Sequence, residues 1–341
     1  MGRGLILGLV LALGLVIASG LYLRQWWNAP LDLPDEGLTL LVKPGQGLGV
    51  LTRNLARDGV LQHRRLLNLI ARLTEADQRI GEGEYHVEVG TSPRALLALL
   101  QSGATVRYLV TLPEGIRLSD ALKILWESEG LKATLAGPDD PRLLAMVAPA
   151  AVAEGFFLPE TYQYERGDTD LQVLREAHRL MIHELGEAWA ARHEGLPLNS
   201  PYEAMVLASI IEKETGVAHE RGQIGGVFVR RLEKGMRLQT DPTVIYGLGV
   251  DFDGDLKRKH LKDGSNPYNS YRHHGLPPGP IALPGRAALL AAVQPESGDS
   301  LYFVARGDGS HEFSATLDEH EAAVNRYQRQ RRADYRSSPS P

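Results

Sequence analysis

Apolar positions in this chain change rhythm as it runs. From Gly4 to Leu23 the sequence is uncharged and mostly Leu, Val, Ile, Ala and Gly. About 20 such residues let a helix cross roughly 30 Å of hydrocarbon. Trp26 and Trp27 follow at the position of an interfacial belt. A cleaved signal peptide is the competing reading, because Ala18-Ser19-Gly20 offers a small-residue site. The apolar run exceeds the roughly 7 to 15 residues of such a peptide, so the pattern favours an uncleaved anchor over residues 4–23. Residues 1–3 precede it and a linker, residues 24–37, follows. Charge hardly orients the span, with Arg3 before it and Arg24 after it.

Beyond the linker the pattern repeats. Val42-Lys43-Pro44-Gly45 followed by Leu51 and Leu55 recurs, 45 residues on, as Val87-Glu88-Val89-Gly90 followed by Leu96 and Leu100. Each copy predicts a short strand, a glycine turn and a helix, with Gly59 and Gly103 near the helix ends. A looser third copy begins at Leu112-Pro113-Glu114-Gly115 and continues through Leu118, Leu122 and Leu125. Strand-turn-helix units that stack their apolar faces make a small α/β module, placed at residues 38–110. Leucines at helical spacing are core positions before they are anything else.

Two further helices carry the argument towards chemistry. Leu171, Leu174, His178, Met181 and Leu185 predict an amphipathic helix from Leu171 to about His193. In Leu207-Ala208-Ser209-Ile210-Ile211-Glu212-Lys213-Glu214-Thr215-Gly216, Glu214 lies one turn beyond Ile210 and Ile211 and two beyond Leu207. Its carboxyl therefore shares their stripe, while Glu212 points elsewhere. A carboxyl held against apolar surface loses solvation in its charged form, so its pKa rises and it can keep a proton near neutral pH, as a general acid must. The plainer alternative is an amphipathic helix whose Glu212, Lys213 and Glu214 are solvated near its end.

Composition removes several classes. The 341 residues and 43% hydrophobic content suit about two domains with real cores. A net charge of -5 without a basic stripe, the tail at Arg329, Arg331 and Arg332 aside, argues against nucleic acid. With no cysteine, disulfides, thiolate metal sites, a cysteine nucleophile and a lipoprotein anchor are excluded. His178 and His183 are five apart and do not share a helical face, and the adjacent His273 and His274 diverge, so no metal is expected.

Polar residues crowd elsewhere. Asp241-Pro242 is a good helix start, with Asp as cap and Pro in the first turn. Capping does not explain Gln239, Thr240, Thr243 and Tyr246 within eight residues. Hydroxyls and amides bind sugars, and Tyr268, Asn269 and Tyr271 add an amide and rings able to stack on a pyranose. The Gly- and Pro-rich run from Gly275 to Gly285 reads as a stiff groove wall.

ASIIEKETG, the run from Arg231 to Gly247 with Gln239-Thr240-Asp241-Pro242-Thr243, Tyr268-Asn269-Ser270-Tyr271, Gly275-Leu276-Pro277-Pro278-Gly279-Pro280-Ile281, Leu112-Pro113-Glu114-Gly115 and Glu154-Gly155-Phe156-Phe157-Leu158-Pro159-Glu160-Thr161-Tyr162 together resemble the endolytic murein transglycosylase (MltG, YceG-like) family, from the first apolar segment to about Leu317. The resemblance implies an α+β fold with a single N-terminal transmembrane helix, a small LysM-like module, a catalytic domain over residues 111–325 and a disordered tail, residues 326–341. It implies a lytic transglycosylase that cuts the MurNAc-GlcNAc β-1,4 bond of peptidoglycan and leaves 1,6-anhydroMurNAc ends, terminating or trimming nascent strands. Glycoside hydrolysis normally takes two carboxyls, whereas here the C6 hydroxyl of the substrate is the nucleophile and one acid suffices. Glu214 takes that role by resemblance, Glu212 is the alternative acid, and Gln239, Thr240, Asp241, Thr243, Tyr246, Tyr268, Asn269 and Tyr271 line the groove. No cofactor is implied. The implied partners are glycan strands, the inner membrane and peptidoglycan synthases, with the catalytic domain in the periplasm. Two other readings stay open: an inactive peptidoglycan-binding scaffold, and a hydrolytic muramidase that leaves reducing ends.

Overall fold

The computed structural model describes residues 2–329. It is a mixed α+β chain in two compact units: residues 1–108 with 164–167, and residues 109–163 with 168–341.

The first unit opens with α1 (Gly2–Asn28). Over Ile6–Asn28 this helix is long and apolar enough to cross a membrane, with mean hydropathy 2.5. It runs past Leu23, and its last turn docks on α4 of the same unit. Trp26 is therefore buried, 5.9 Å from the His63 ring, and Trp27 packs against the same core. The expected linker is pinned as well, with Leu31 N–H donating to the Thr91 carbonyl at 2.8 Å.

Both leucine repeats form strand, turn and helix. β1 (Leu38–Val42) and β2 (Gly83–Val87) pair antiparallel, with Leu38 opposite Val87 and Val42 opposite Gly83. Gly45 and Gly90 turn the chain at φ 72° and 89°, which glycine adopts without strain. α2 (Leu48–Arg57) and α4 (Pro93–Ser102) then bury Leu51, Leu55, Leu96 and Leu100 around Tyr85. Between the copies lies α3 (Arg64–Leu73), a helix outside the repeated pattern, which buries Leu67 and Ala71.

The chain leaves this unit along β3 (Arg107–Thr111), which pairs with β4 (Thr161–Glu165). The third copy does form, with Gly115 at φ 73° and α5 (Leu118–Glu127) burying Leu118, Leu122 and Leu125. Its helix belongs to the second unit, so it extends a different core.

The second unit adds α6 (Pro141–Met146) and α7 (Asp170–Ala190), which starts with a Thr169–Gln172 capping box and buries Leu174, Met181 and Leu185. At its centre is α8 (Pro201–Glu214), capped by Ser200. Every residue from Ala204 to Ile211 is buried, so α8 has no solvent face and the expected stripe widens to the whole circumference. It contacts α7, α9 (Arg221–Glu233), α10 (Asp241–Leu248) and, beyond α11 (Arg258–Lys262), α12 (Arg286–Val293). Small residues allow this closeness: a β-carbon on Gly225 of α9 would run into the Ala291 carbonyl of α12 and touch Ile211.

The unit closes with the hairpin β5 (Tyr302–Ala305) and β6 (His311–Ser314), then α13 (Leu317–Val324). A π-helical turn, Asn325–Arg329, continues α13 into the segment expected as tail, of which residues 330–341 lie outside the described residues. Because Gly225 has no space for a side chain, Gly225→Val is expected to destabilise the fold by about 1–3 kcal/mol, the usual penalty of overpacking. An unchanged midpoint in denaturant unfolding would show that α9 and α12 can separate freely.

Candidate active site

Glu214 is the last residue of α8, followed by Thr215 in extended backbone. As a residue it is half-buried. Its carboxyl accepts a hydrogen bond from the Thr240 hydroxyl. Burial, opposed by that bond, pushes its pKa up to about 7; the Asp241 carboxylate raises it further and the Arg231 guanidinium lowers it. A helix C-terminus also disfavours negative charge. Able to keep its proton up to about pH 7, Glu214 can give it to a bound oxygen.

Glu212 is built differently. Its side chain is only 4% exposed and lies against Arg221 at 3.3 Å. Its other oxygen accepts the Gly285 N–H at 2.9 Å. Burial raises its pKa, but both oxygens are spent on the scaffold. Lys213 reaches the Gly115 carbonyl at 3.0 Å. The segment Gly275–Gly285 is accordingly bound to α8 along its length, since Ile281 N–H also donates to Ser209 at 3.0 Å.

The groove residues divide by burial. Gln239 is exposed in the left-handed region, φ 53°, with its N–H on the Ser270 carbonyl at 3.2 Å. A strained non-glycine backbone beside a candidate acid is a common mark of a functional turn. Thr240 is buried, its N–H on Ser270 Oγ at 2.9 Å and its hydroxyl on Glu214. Thr243 lies beneath it, fully buried, donating to the Thr240 carbonyl at 2.8 Å and bonded to Ser270 Oγ at 2.8 Å. Asn269 is also fully buried, and its amide nitrogen donates to the carbonyls of His260, Leu261 and Asp263. Both side chains are buried and spent on neighbouring groups, whereas Gln239 and Asp241 are exposed and Tyr271 is half-buried.

Asp241 is exposed and accepts the Tyr271 hydroxyl at 2.7 Å. It is the first residue of α10, so the N-cap is Thr240 rather than Asp241 as its Asp-Pro sequence suggests. Further along α10, Tyr246 and Tyr268 pack with ring centroids 4.8 Å apart. Five residues of helix put this pair about 7.5 Å along the axis from Asp241. An apolar cavity of about 730 Å³ borders Tyr268 and is lined also by Val152, Phe156, Ile182, Tyr202 and Pro278.

Three further residues join the site. Glu154 is buried and its pKa is pushed up to about 7 by burial, although Leu118 N–H donates to it at 2.8 Å. The Tyr246 hydroxyl donates to its other oxygen at 3.4 Å. Arg117 lies over the Tyr246 ring, 5.1 Å from its centre. Arg231 is buried near Glu214 and donates to the carbonyls of Leu301 and Leu238 at 2.6 and 2.8 Å. The pattern Ile224, Val227, Phe228, Arg231 could have exposed Arg231, since it places the cation on the apolar face of α9. Glu154 carries a weaker signal, an acid leading the apolar run Gly155-Phe156-Phe157-Leu158.

A profile of the YceG-like family matches residues 40–326. A Bacillus subtilis (strain 168) protein named endolytic murein transglycosylase is 30% identical over 304 residues, which cover 84% of this chain and 83% of the relative. One of the same name from Streptococcus pneumoniae serotype 2 is 24% identical; 84% of this chain matches it, but only 58% of that longer relative is spanned. The crystal structure of a yceG-like protein from Listeria monocytogenes matches with a TM-score of 0.53 and 26% identity, covering 85% of this chain and 99% of that one.

If Glu214 is the acid, Glu214→Gln should lower activity on murein about a hundredfold to ten-thousandfold with the fold intact, while Glu212→Gln acts mainly on stability. The acid form is needed, so kcat/KM of the native protein should fall as pH rises through about 7, the raised pKa of Glu214. The reverse ranking of the two variants, or a profile flat to pH 9, would remove Glu214 from this role.

Proposed function

Because the chain belongs to the YceG-like family, we propose that it is a membrane-anchored endolytic murein transglycosylase acting on peptidoglycan glycan strands. The observation that carries this reading is Glu214, a half-buried acid at the end of α8 whose pKa is pushed up to about 7 and whose carboxyl is held by the Thr240 hydroxyl. Three relatives bearing that enzyme name support it.

In the reaction, the protonated Glu214 gives its proton to the oxygen linking MurNAc C1 to GlcNAc as that C–O bond breaks. The bonding electron pair leaves with the oxygen. The C6 hydroxyl of the same MurNAc then closes on C1, and its proton passes to the Glu214 carboxylate. A 1,6-anhydro end forms, water is not consumed, and the enzyme regains its starting state. Holding C6–OH and C1 in one ring makes the attack intramolecular, which supplies much of the rate. Thr240 keeps the Glu214 carboxyl aimed, and the Tyr246–Tyr268 pair offers faces for neighbouring sugars.

The repeat unit, read as LysM-like, holds the strand, and α1 keeps the protein at the inner membrane with the site on the periplasmic side. There it terminates or trims nascent strands beside the synthases.

Digestion of purified murein followed by mass analysis tests the chemistry. Anhydro ends are expected; reducing ends would make the protein a muramidase, and bound but uncut glycan would make it a scaffold. In the same assay, deletion of residues 38–110 should weaken murein binding while leaving some cleavage at high substrate, and unchanged binding would end the LysM-like reading. The full chain should resist extraction by salt and carbonate, because about 20 apolar residues suffice to span. Its release into the soluble fraction would refute the anchor.

A further inference from the structure

Asp241 stands next to the acid without being consumed by the scaffold. It follows Thr240, the direct partner of Glu214, and its Oδ1 is fixed by the Tyr271 hydroxyl at 2.7 Å. The residue is exposed, in contrast to Glu212, whose two oxygens are both taken. Its place in the first turn of α10 favours a negative charge. Four charged or titratable groups thus lie within electrostatic reach of one another: Glu214 from α8, Arg231 from α9, Asp241 from α10 and Tyr271 from the segment after α11. Arg231 is turned inward onto carbonyls, so the negative charge of Asp241 is the one facing outward.

We propose that Asp241 is a second catalytic carboxylate, which stabilises the positive charge that develops on the sugar when Glu214 protonates the leaving oxygen. The inference rests on the transglycosylase reading above and adds a role to it. As the C1–O bond breaks, positive charge spreads over C1 and the ring oxygen. The Asp241 carboxylate faces it without forming a bond, and the charge is discharged when the C6 oxygen bonds to C1 and its proton goes to Glu214. A fixed negative group aimed where positive charge appears is stabilising in the transition state alone, so it acts on kcat. The same charge disfavours ionisation of Glu214, so one residue has two separable effects.

The experiment is steady-state cleavage of murein by the full chain in detergent across pH 5–9. Asp241→Asn should lower kcat about a hundredfold or more, the scale of losing one preorganised electrostatic partner, with little change in KM. Its residual kcat/KM should fall at lower pH than the native basic limb, since Glu214 loses a neighbouring negative charge. Asp241→Glu should keep the native limb and part of the rate, and Tyr271→Phe, which retains the charge, should lose less than Asp241→Asn. Should Asp241→Asn not fold, Asp241→Ser, which also removes the charge, takes its place with the same readings. A near-native kcat, or a loss confined to KM with the limb unmoved, overturns the proposal and leaves Asp241 as a sugar contact. Glu214→Gln separates the two readings: if it stays active, the acid assignment fails first; if it is dead while Asp241→Asn is not, only the role of Asp241 falls.

Discussion

The desolvation of the Glu214 carboxyl, which pushes its pKa up to about 7, is the interaction on which the candidate site depends. Water is removed from around that carboxyl, while the residue as a whole keeps part of its surface exposed. That partial dryness is possible only at the end of a helix buried on every side. The burial of α8 in turn requires α9 and α12 to approach through Gly225 and a run of alanines. A chemical property of one side chain thus traces back to the absence of a side chain elsewhere.

The two glutamates near the end of α8 divide the labour. Residues two apart on a helix differ by about 200° in direction. Glu212 therefore meets Arg221 and the Gly285 N–H, which clamp the Gly275–Gly285 segment to α8. Glu214 meets Thr240 instead, and Thr240 is itself held by the buried hydroxyls of Thr243 and Ser270. Buried hydroxyls that satisfy one another make a rigid backing at small energetic penalty. Glu154 repeats the theme at the other end of α10, where a desolvated carboxyl near pKa 7 holds the hydroxyl of Tyr246.

The first unit solves a different problem. Two short strands cannot form a stable sheet alone, so α2 and α4 cover them with the leucines of the repeat. α1 contributes Trp26 to this core, so the apolar helix and the module are mechanically continuous.

Features set by local pattern were legible in the sequence. The uncharged span from Gly4 to Leu23 declares an apolar helix, the leucines at Leu51, Leu55, Leu96 and Leu100 declare helical faces, and the spacing from Leu207 to Glu214 places an acid among apolar residues. Each depends only on neighbours one or two turns away. Tertiary structure decided the rest, because it depended on residues far apart in the chain. Glu214 meets Thr240 across 26 residues, and Tyr246 meets Glu154 across 92. The burial of Thr243 and Asn269, against the exposure of Gln239 and Asp241, follows from irregular backbone such as Gln239 at φ 53°, where side-chain direction has no period to read. Trp26 entered a core because its helix met α4, a partner 67 residues on. Sequence periodicity tells which residues share a face; only packing tells what that face meets, and the pKa of a carboxyl is a property of what it meets.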